Sequence, residues 1–168
     1  MRKLVRDRTI FVLGLAGLAV NLAGCWWGLP QMTGPSAPSH GWEMDTTSGL
    51  ATLSEFHNLL YPKADWYVAY PLFHYLVQGV AYAPYLAYLL LTGQLANPSG
   101  TYPFGLKDPS SVIANLVLIS HVLSVLMSAV VIAGVYWIGK RVWDRTTGLL
   151  AACALLLSPL FQYYSRTS

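Results

Sequence analysis

The sequence predicts an all-α polytopic membrane protein, with about three transmembrane helices and interfacial helices in a long first outer loop. Three observations carry that expectation. Only 10% of the 168 residues are charged and 55% are hydrophobic, whereas a soluble domain usually has about 25% charged residues. Residues 10–29, 111–138 and 148–164 form apolar stretches, and a helical crossing takes about 20 such residues. Finally, seven of the ten Lys and Arg lie in two places: Arg2, Lys3, Arg6 and Arg8, then Lys140, Arg141 and Arg145. Cytoplasmic loops collect such charge.

The first span, 10–29, follows the N-terminal basic cluster and ends in Trp26-Trp27-Gly28-Leu29-Pro30. Its start also resembles a lipoprotein signal, with Leu22-Ala23-Gly24-Cys25 before a possible lipidated cysteine. Trp26-Trp27 directly after the cysteine, and the later spans, favour an intact first helix. The outer loop, 31–110, begins with a Pro-, Ser- and Gly-rich tract over 31–40 that should be irregular. Next comes Gly41-Trp42-Glu43-Met44-Asp45. Over 49–60, Leu50, Leu53, Phe56, His57 and Leu60 recur at helical spacing, which predicts an amphipathic helix on the membrane with Asp45 at or near its N-cap.

Residues 66–95 are long enough to cross, but the basic clusters argue that they do not. Both clusters are cytoplasmic only if an even number of spans separates them. The stretch is therefore read as interfacial or re-entrant. Its many tyrosines suit a headgroup boundary, and Pro71 and Pro84 should start and break helices within it. Residues 97–109 are turn-rich. The chain then returns through 111–138, turns at its second basic cluster and leaves through 148–164. This topology puts the N-terminus in the cytoplasm and 31–110 outside, in a protein integral to the cell (cytoplasmic) membrane. Cys25 and Cys153 fall near opposite faces, too far apart for a disulfide, and read as packing residues.

Several of these motifs, in this order, resemble the GT-C glycosyltransferases, and within them the protein O-mannosyltransferase and aminoarabinose transferase group. They are Trp27-Gly28-Leu29-Pro30 with Asp45 after it, Tyr70-Pro71-Leu72-Phe73-His74, Gly139-Lys140-Arg141-Val142-Trp143, Gly148-Leu149-Leu150-Ala151-Ala152, Leu157-Ser158-Pro159-Leu160-Phe161 and Tyr163-Tyr164-Ser165-Arg166-Thr167. Thr46 stands where the family usually has Glu, and Tyr70 where it has a second proline. The resemblance covers nearly the whole chain. It implies that the chain is the N-terminal part of a larger inverting enzyme, inactive alone. That enzyme moves a sugar from a polyprenyl-phosphate donor to a protein or lipid acceptor at the outer face. The resemblance implies no firm cofactor; a divalent metal is an open option, and nucleic acid is not an expected partner.

In that chemistry the acceptor hydroxyl loses a proton as it attacks the anomeric carbon, and Asp45 is the expected base. The departing lipid phosphate gains negative charge that a cation should meet, and Arg166 is the candidate. Glu43, His57 and His74 are further substrate-binding candidates, each with a plainer alternative: a solvated loop charge for Glu43, packed or interfacial residues for the histidines. His121 lies inside a span, where an ionisable group raises a functional question by default. Two other classes stay open: a fragment of a secondary transporter, which also uses intramembrane histidines and proline-broken helices, and a scaffold without chemistry.

Overall fold

The computed structural model describes residues 8–26, 29, 49–61, 72–98 and 105–166. Those residues are mostly helical and contain no strand, so the all-α expectation holds. The helices are α1 (Arg8–Leu22), α2 (Gly49–Leu60), α3 (Leu72–Leu91), α4 (Pro109–Val142), α5 (Arg145–Leu157) and α6 (Pro159–Tyr164). The chain divides into two compact units, one of residues 1–27 and 121–168, the other of 28–120.

In the first unit, α1 runs antiparallel to α4. Leu13, Gly17, Asn21 and Cys25 recur every fourth residue, so one stripe of the α1 helix and its following turn is buried. A Cβ on Gly17 would lie 2.7 Å from the Ile132 side chain, and Asn21 meets Ser128 one turn further on. At the next turn Cys25 meets His121. Helix α5 packs back on α4 through Gly139 and Gly148, whose backbones approach so closely that a Cβ on Gly139 would lie 2.7 Å from the Gly148 Cα. Small residues permit such approach where two helices pack without much side-chain volume between them. Leu13, Ile132, Tyr136 and Ala152 form the buried apolar core of this unit.

The turn between α4 and α5 explains itself locally. Asp144 is extended (φ −150°, ψ 174°), and its carboxylate accepts the Thr147 N–H at 2.7 Å, the geometry of an N-cap. That hydrogen bond, with smaller help from neighbouring groups, holds the Asp144 carboxyl below the usual carboxylate range. Beside it the charges of Lys140 and Arg141 lie 5.9 Å from the rings of Tyr136 and Trp137 respectively. Arg145 donates to the Thr9 hydroxyl at 3.0 Å, which brings the starts of α1 and α5 to the same end.

The sequence reading needs correction at three places. The stretch 10–29 is not one helix: α1 stops at Leu22, and the Gly24 and Cys25 N–H groups close tight turns on the Asn21 and Leu22 carbonyls. The stretch 148–164 is divided at Ser158, which caps α5 and starts α6. Pro159 supplies the reason, since a residue before proline is pushed out of helical geometry, and Ser158 sits at ψ 117°. Pro84, in contrast, breaks nothing. It lies inside α3, an uninterrupted 20-residue helix, so residues 72–91 contain no hairpin. A long helix packed along its length tolerates one missing hydrogen bond at a proline kink.

Only α4 among the described helices is both long and apolar enough to cross a membrane; α1 and α5 are shorter apolar helices. Its 34 residues extend to about 51 Å.

In the second unit, α2 packs on α3 where Phe56 lies against Gly79. The core joins Tyr82 and Leu89 of α3 to Leu106, Val112 and Leu116, with Leu53 of α2 against them. The amphipathic helix expected over 49–60 is thus present as α2. Helix α3 ends at Gly93 (φ 66°), which takes the left-handed conformation of a helix stop while Gln94 N–H reaches the Leu89 carbonyl. Gly105 (φ 77°) faces the Asn97 backbone so closely that no side chain fits. Between them Leu95 pairs with Leu106 in a single antiparallel bridge. Asp108 then accepts the Ser111 N–H at 3.2 Å, and Pro109 opens α4 with its φ already suited to a first helical turn.

Candidate functional site

Polar side chains gather at one end of the first unit, around the turn that follows α1. A helix ends with four carbonyls lacking internal partners. Here Asn21 and Leu22 carbonyls are used by the turn itself. The Val20 carbonyl instead receives a terminal guanidinium nitrogen of Arg166 at 3.2 Å. A cation at a helix C-terminus also meets the negative end of its dipole. The Arg166 stem crosses Gly24 so tightly that a Cβ there would lie 2.7 Å from Arg166 Cδ. Only a glycine leaves room for the arginine to fold in.

The Cys25 carbonyl, three residues beyond Leu22, lies 2.9 Å from His121 Nδ1. A carbonyl can only accept, so His121 Nδ1–H donates in this contact. His121 is 3% exposed, and its Nε2 has no partner among the described residues. Arg166 Nε is buried and likewise without a partner among them. Around these two groups the other polar atoms are joined. Asn21, fully buried, donates to Ser128 Oγ at 3.4 Å and accepts from Ser165 Oγ at 2.8 Å. Ser128 Oγ–H donates to the Val125 carbonyl. Cys25 is buried with its thiol near the Asn21 carbonyl, and neither cysteine is in a disulfide.

Of the residues singled out from sequence, Arg166 and His121 belong to this cluster. Asp45 and Glu43 lie outside the described residues. His57 is exposed on α2 beside the Tyr61 ring (5.2 Å between centroids), and His74 is half-buried beside Tyr75. Both belong to the second unit, whereas Arg166 belongs to the first. Among the described residues no group of three or more His, Cys, Asp and Glu is placed to hold a metal ion. The cluster itself was not assembled from sequence. Asn21, Ser128 and Ser165 are ordinary one by one, and the only signal in the sequence was that Asn21 and His121 interrupt apolar runs.

No family model matches the chain, and no curated protein or solved structure matches it either.

Proposed function

We propose that this chain is part of an inverting glycosyltransferase that takes a sugar from a polyprenyl-phosphate carrier at the outer face of the cytoplasmic membrane. The first unit then sits within the bilayer with its basic end in the cytoplasm. Support for a membrane setting comes from its surface. Phe11, Leu15, Val130, Leu150 and Leu157 are exposed, Val130 by 72% and Leu157 by 73%. A helix at the core of a soluble protein would hide most such side chains, whereas lipid would cover them here. Exposed Trp26, Tyr163 and Tyr164 ring the cluster end, and Trp137 and Trp143 the basic end, as interface belts do. Residues 121–142 of α4 extend about 33 Å, close to the hydrocarbon thickness of about 30 Å.

The observation that carries the transferase reading is the position of Arg166. It is folded against the last turn of α1, at the end opposite the basic cluster. On this reading that end faces the outside. A cation there could meet a lipid phosphate; the resemblance supplies Asp45 as the base that takes the acceptor's proton. The test uses membranes containing the full-length protein and a radiolabelled polyprenyl-phosphate sugar. Asp45→Asn should lower transfer at least about a hundredfold, the usual scale for a general base. Transfer at the wild-type rate in that variant would sink the reading.

A second reading, part of a secondary transporter, is favoured by one feature: buried polar groups within apolar helices next to a helix broken at Ser158-Pro159. It predicts substrate uptake that survives Asp45→Asn and fails when Asn21 or His121 is replaced.

A further inference from the structure

Helix α3 lies in the middle of an uncharged tract: residues 66–106 contain no Asp, Glu, Lys or Arg. Apart from Tyr88, every exposed residue of α3 is apolar, and Val80 is 76% exposed. The polar groups of α3 are turned the other way. Gln78 is buried and accepts from Thr52 of α2, the Tyr82 hydroxyl meets Ser120, and the Tyr85 hydroxyl accepts from Asn115. A helix on the surface of a water-soluble protein does the reverse, hiding apolar side chains and showing polar ones. Hydrocarbon demands the arrangement seen in α3, because it holds no water to satisfy a polar group. Average apolarity misses this pattern, since Gln78 and the tyrosines lower the mean whichever way they face. Pro84 within the helix also suits lipid, where prolines are tolerated. Helix α2 of the same unit differs, exposing Ser54 and His57.

The direction of α3 comes from the same contacts. Tyr82 meets Ser120, Tyr85 meets Asn115, and Leu89 shares a core with Val112. Residue numbers rise along α3 as they fall along α4, about one turn at a time, so the two helices run side by side and antiparallel. Helices that cross steeply meet over a short stretch instead. Among the described helices α4 is the one long and apolar enough to cross a membrane. A helix lying side by side with a crossing helix stands along it and not flat on the surface. We propose that α3 is embedded in the bilayer, with its exposed face covered by lipid acyl chains. This goes beyond the transferase reading and uses only the membrane setting of α4.

The test measures collisions of nitroxide labels with oxygen, which concentrates in hydrocarbon, and with a nickel chelate, which stays in water. The full chain is placed in lipid nanodiscs with its two free cysteines removed by Cys25→Ala and Cys153→Ala. Labels are attached singly through Leu76→Cys, Val80→Cys or Ala87→Cys on α3, and through Val130→Cys on α4 as the lipid reference. Collision with oxygen should exceed collision with the chelate at all three α3 positions, as at Val130. Chelate prevailing on α3 while oxygen prevails at Val130 would overturn the proposal and leave α4 in the membrane. Few collisions with either reagent on α3 would overturn it too, because protein then covers the face. Spectral broadening that vanishes on dilution with unlabelled protein would identify that cover as a second copy, and its absence another segment. A charge on the same face gives a second readout. Val80→Asp should lower the fraction of chain recovered folded in nanodiscs at least about tenfold, whereas Val80→Ala should leave it unchanged. Recovery of Val80→Asp at the wild-type level would count against embedding. Circular dichroism of each labelled variant checks that the helices remain. Because no sugar transfer is measured, the outcome is separate from that of Asp45→Asn.

Discussion

In the second unit Thr52 of α2 meets Gln78 of α3, Tyr82 meets Ser120, and Asn115 donates to Tyr85 at 2.8 Å. In the first unit Asn21, Ser128 and Ser165 are joined in the same manner, but His121 Nε2 and Arg166 Nε are buried without partners among the described residues. Both regions place polar atoms among apolar side chains. In one of them each side chain named here answers another, which is what polar groups do when they serve to fix helix register. In the other, two nitrogens have no partner among the described residues. The contrast separates polar burial in which each named group is answered from polar burial that leaves two nitrogens unanswered.

The comparison can be broken or sharpened by substitution. The largest stability effect should come from Gly148→Val, which touches neither polar set. A Cβ there would meet the Tyr136 carbonyl at 2.6 Å and the Lys140 nitrogen at 2.7 Å, both backbone atoms that cannot swing away. The α4–α5 pair must separate, at a cost of about 3 kcal/mol, measurable as loss of reversible unfolding stability in detergent. Tyr82→Phe comes next. It leaves the buried Ser120 hydroxyl without this partner and should cost about 1–2 kcal/mol, read by the same unfolding measurement. If it cost nothing, the division between the two kinds of polar burial would fail.

The smallest effect belongs to Asp144. Its carboxyl is held below the ordinary range by the Thr147 N–H. A group with a lowered folded pKa contributes stability above its unfolded value, about 3.9 for Asp, and loses it as pH falls through the folded value. Wild type should therefore lose this contribution only below about pH 4. Asp144→Ser, which can still cap α5 but does not ionise, should unfold with a flatter acid limb, read by circular dichroism against pH.

Much of the helical order was legible in the sequence. The spacing of Leu53 and Phe56 marked α2, and both side chains pack as that spacing implies, on the α3 core and on Gly79. The basic turn at Lys140, Arg141 and Arg145 marked the break between two apolar runs, and α4 and α5 part there. What periodicity misjudged were the places where a local rule competes with packing. Pro84 should end a helix, yet α3 runs through it. Gly24 and Cys25 continue an apolar run, yet the helix has stopped two residues earlier. An apolar run sets how much side chain avoids water; it does not say where the backbone turns.

The site divides along the same line. Arg166 was marked in sequence as a cation beside the membrane, because its chemistry is fixed by its type and its place after an apolar run. Its hold on Val20, 146 residues earlier, was not. Nor was the joining of Asn21 to Ser165, 144 residues apart. Composition and charge order determined an all-α chain with one basic end, since those depend on local propensity and on where charge can meet water. Only the tertiary structure decided which polar atoms were satisfied and which were not. Hydrogen bonds are made between positions in space, and a linear pattern does not specify the distances between them.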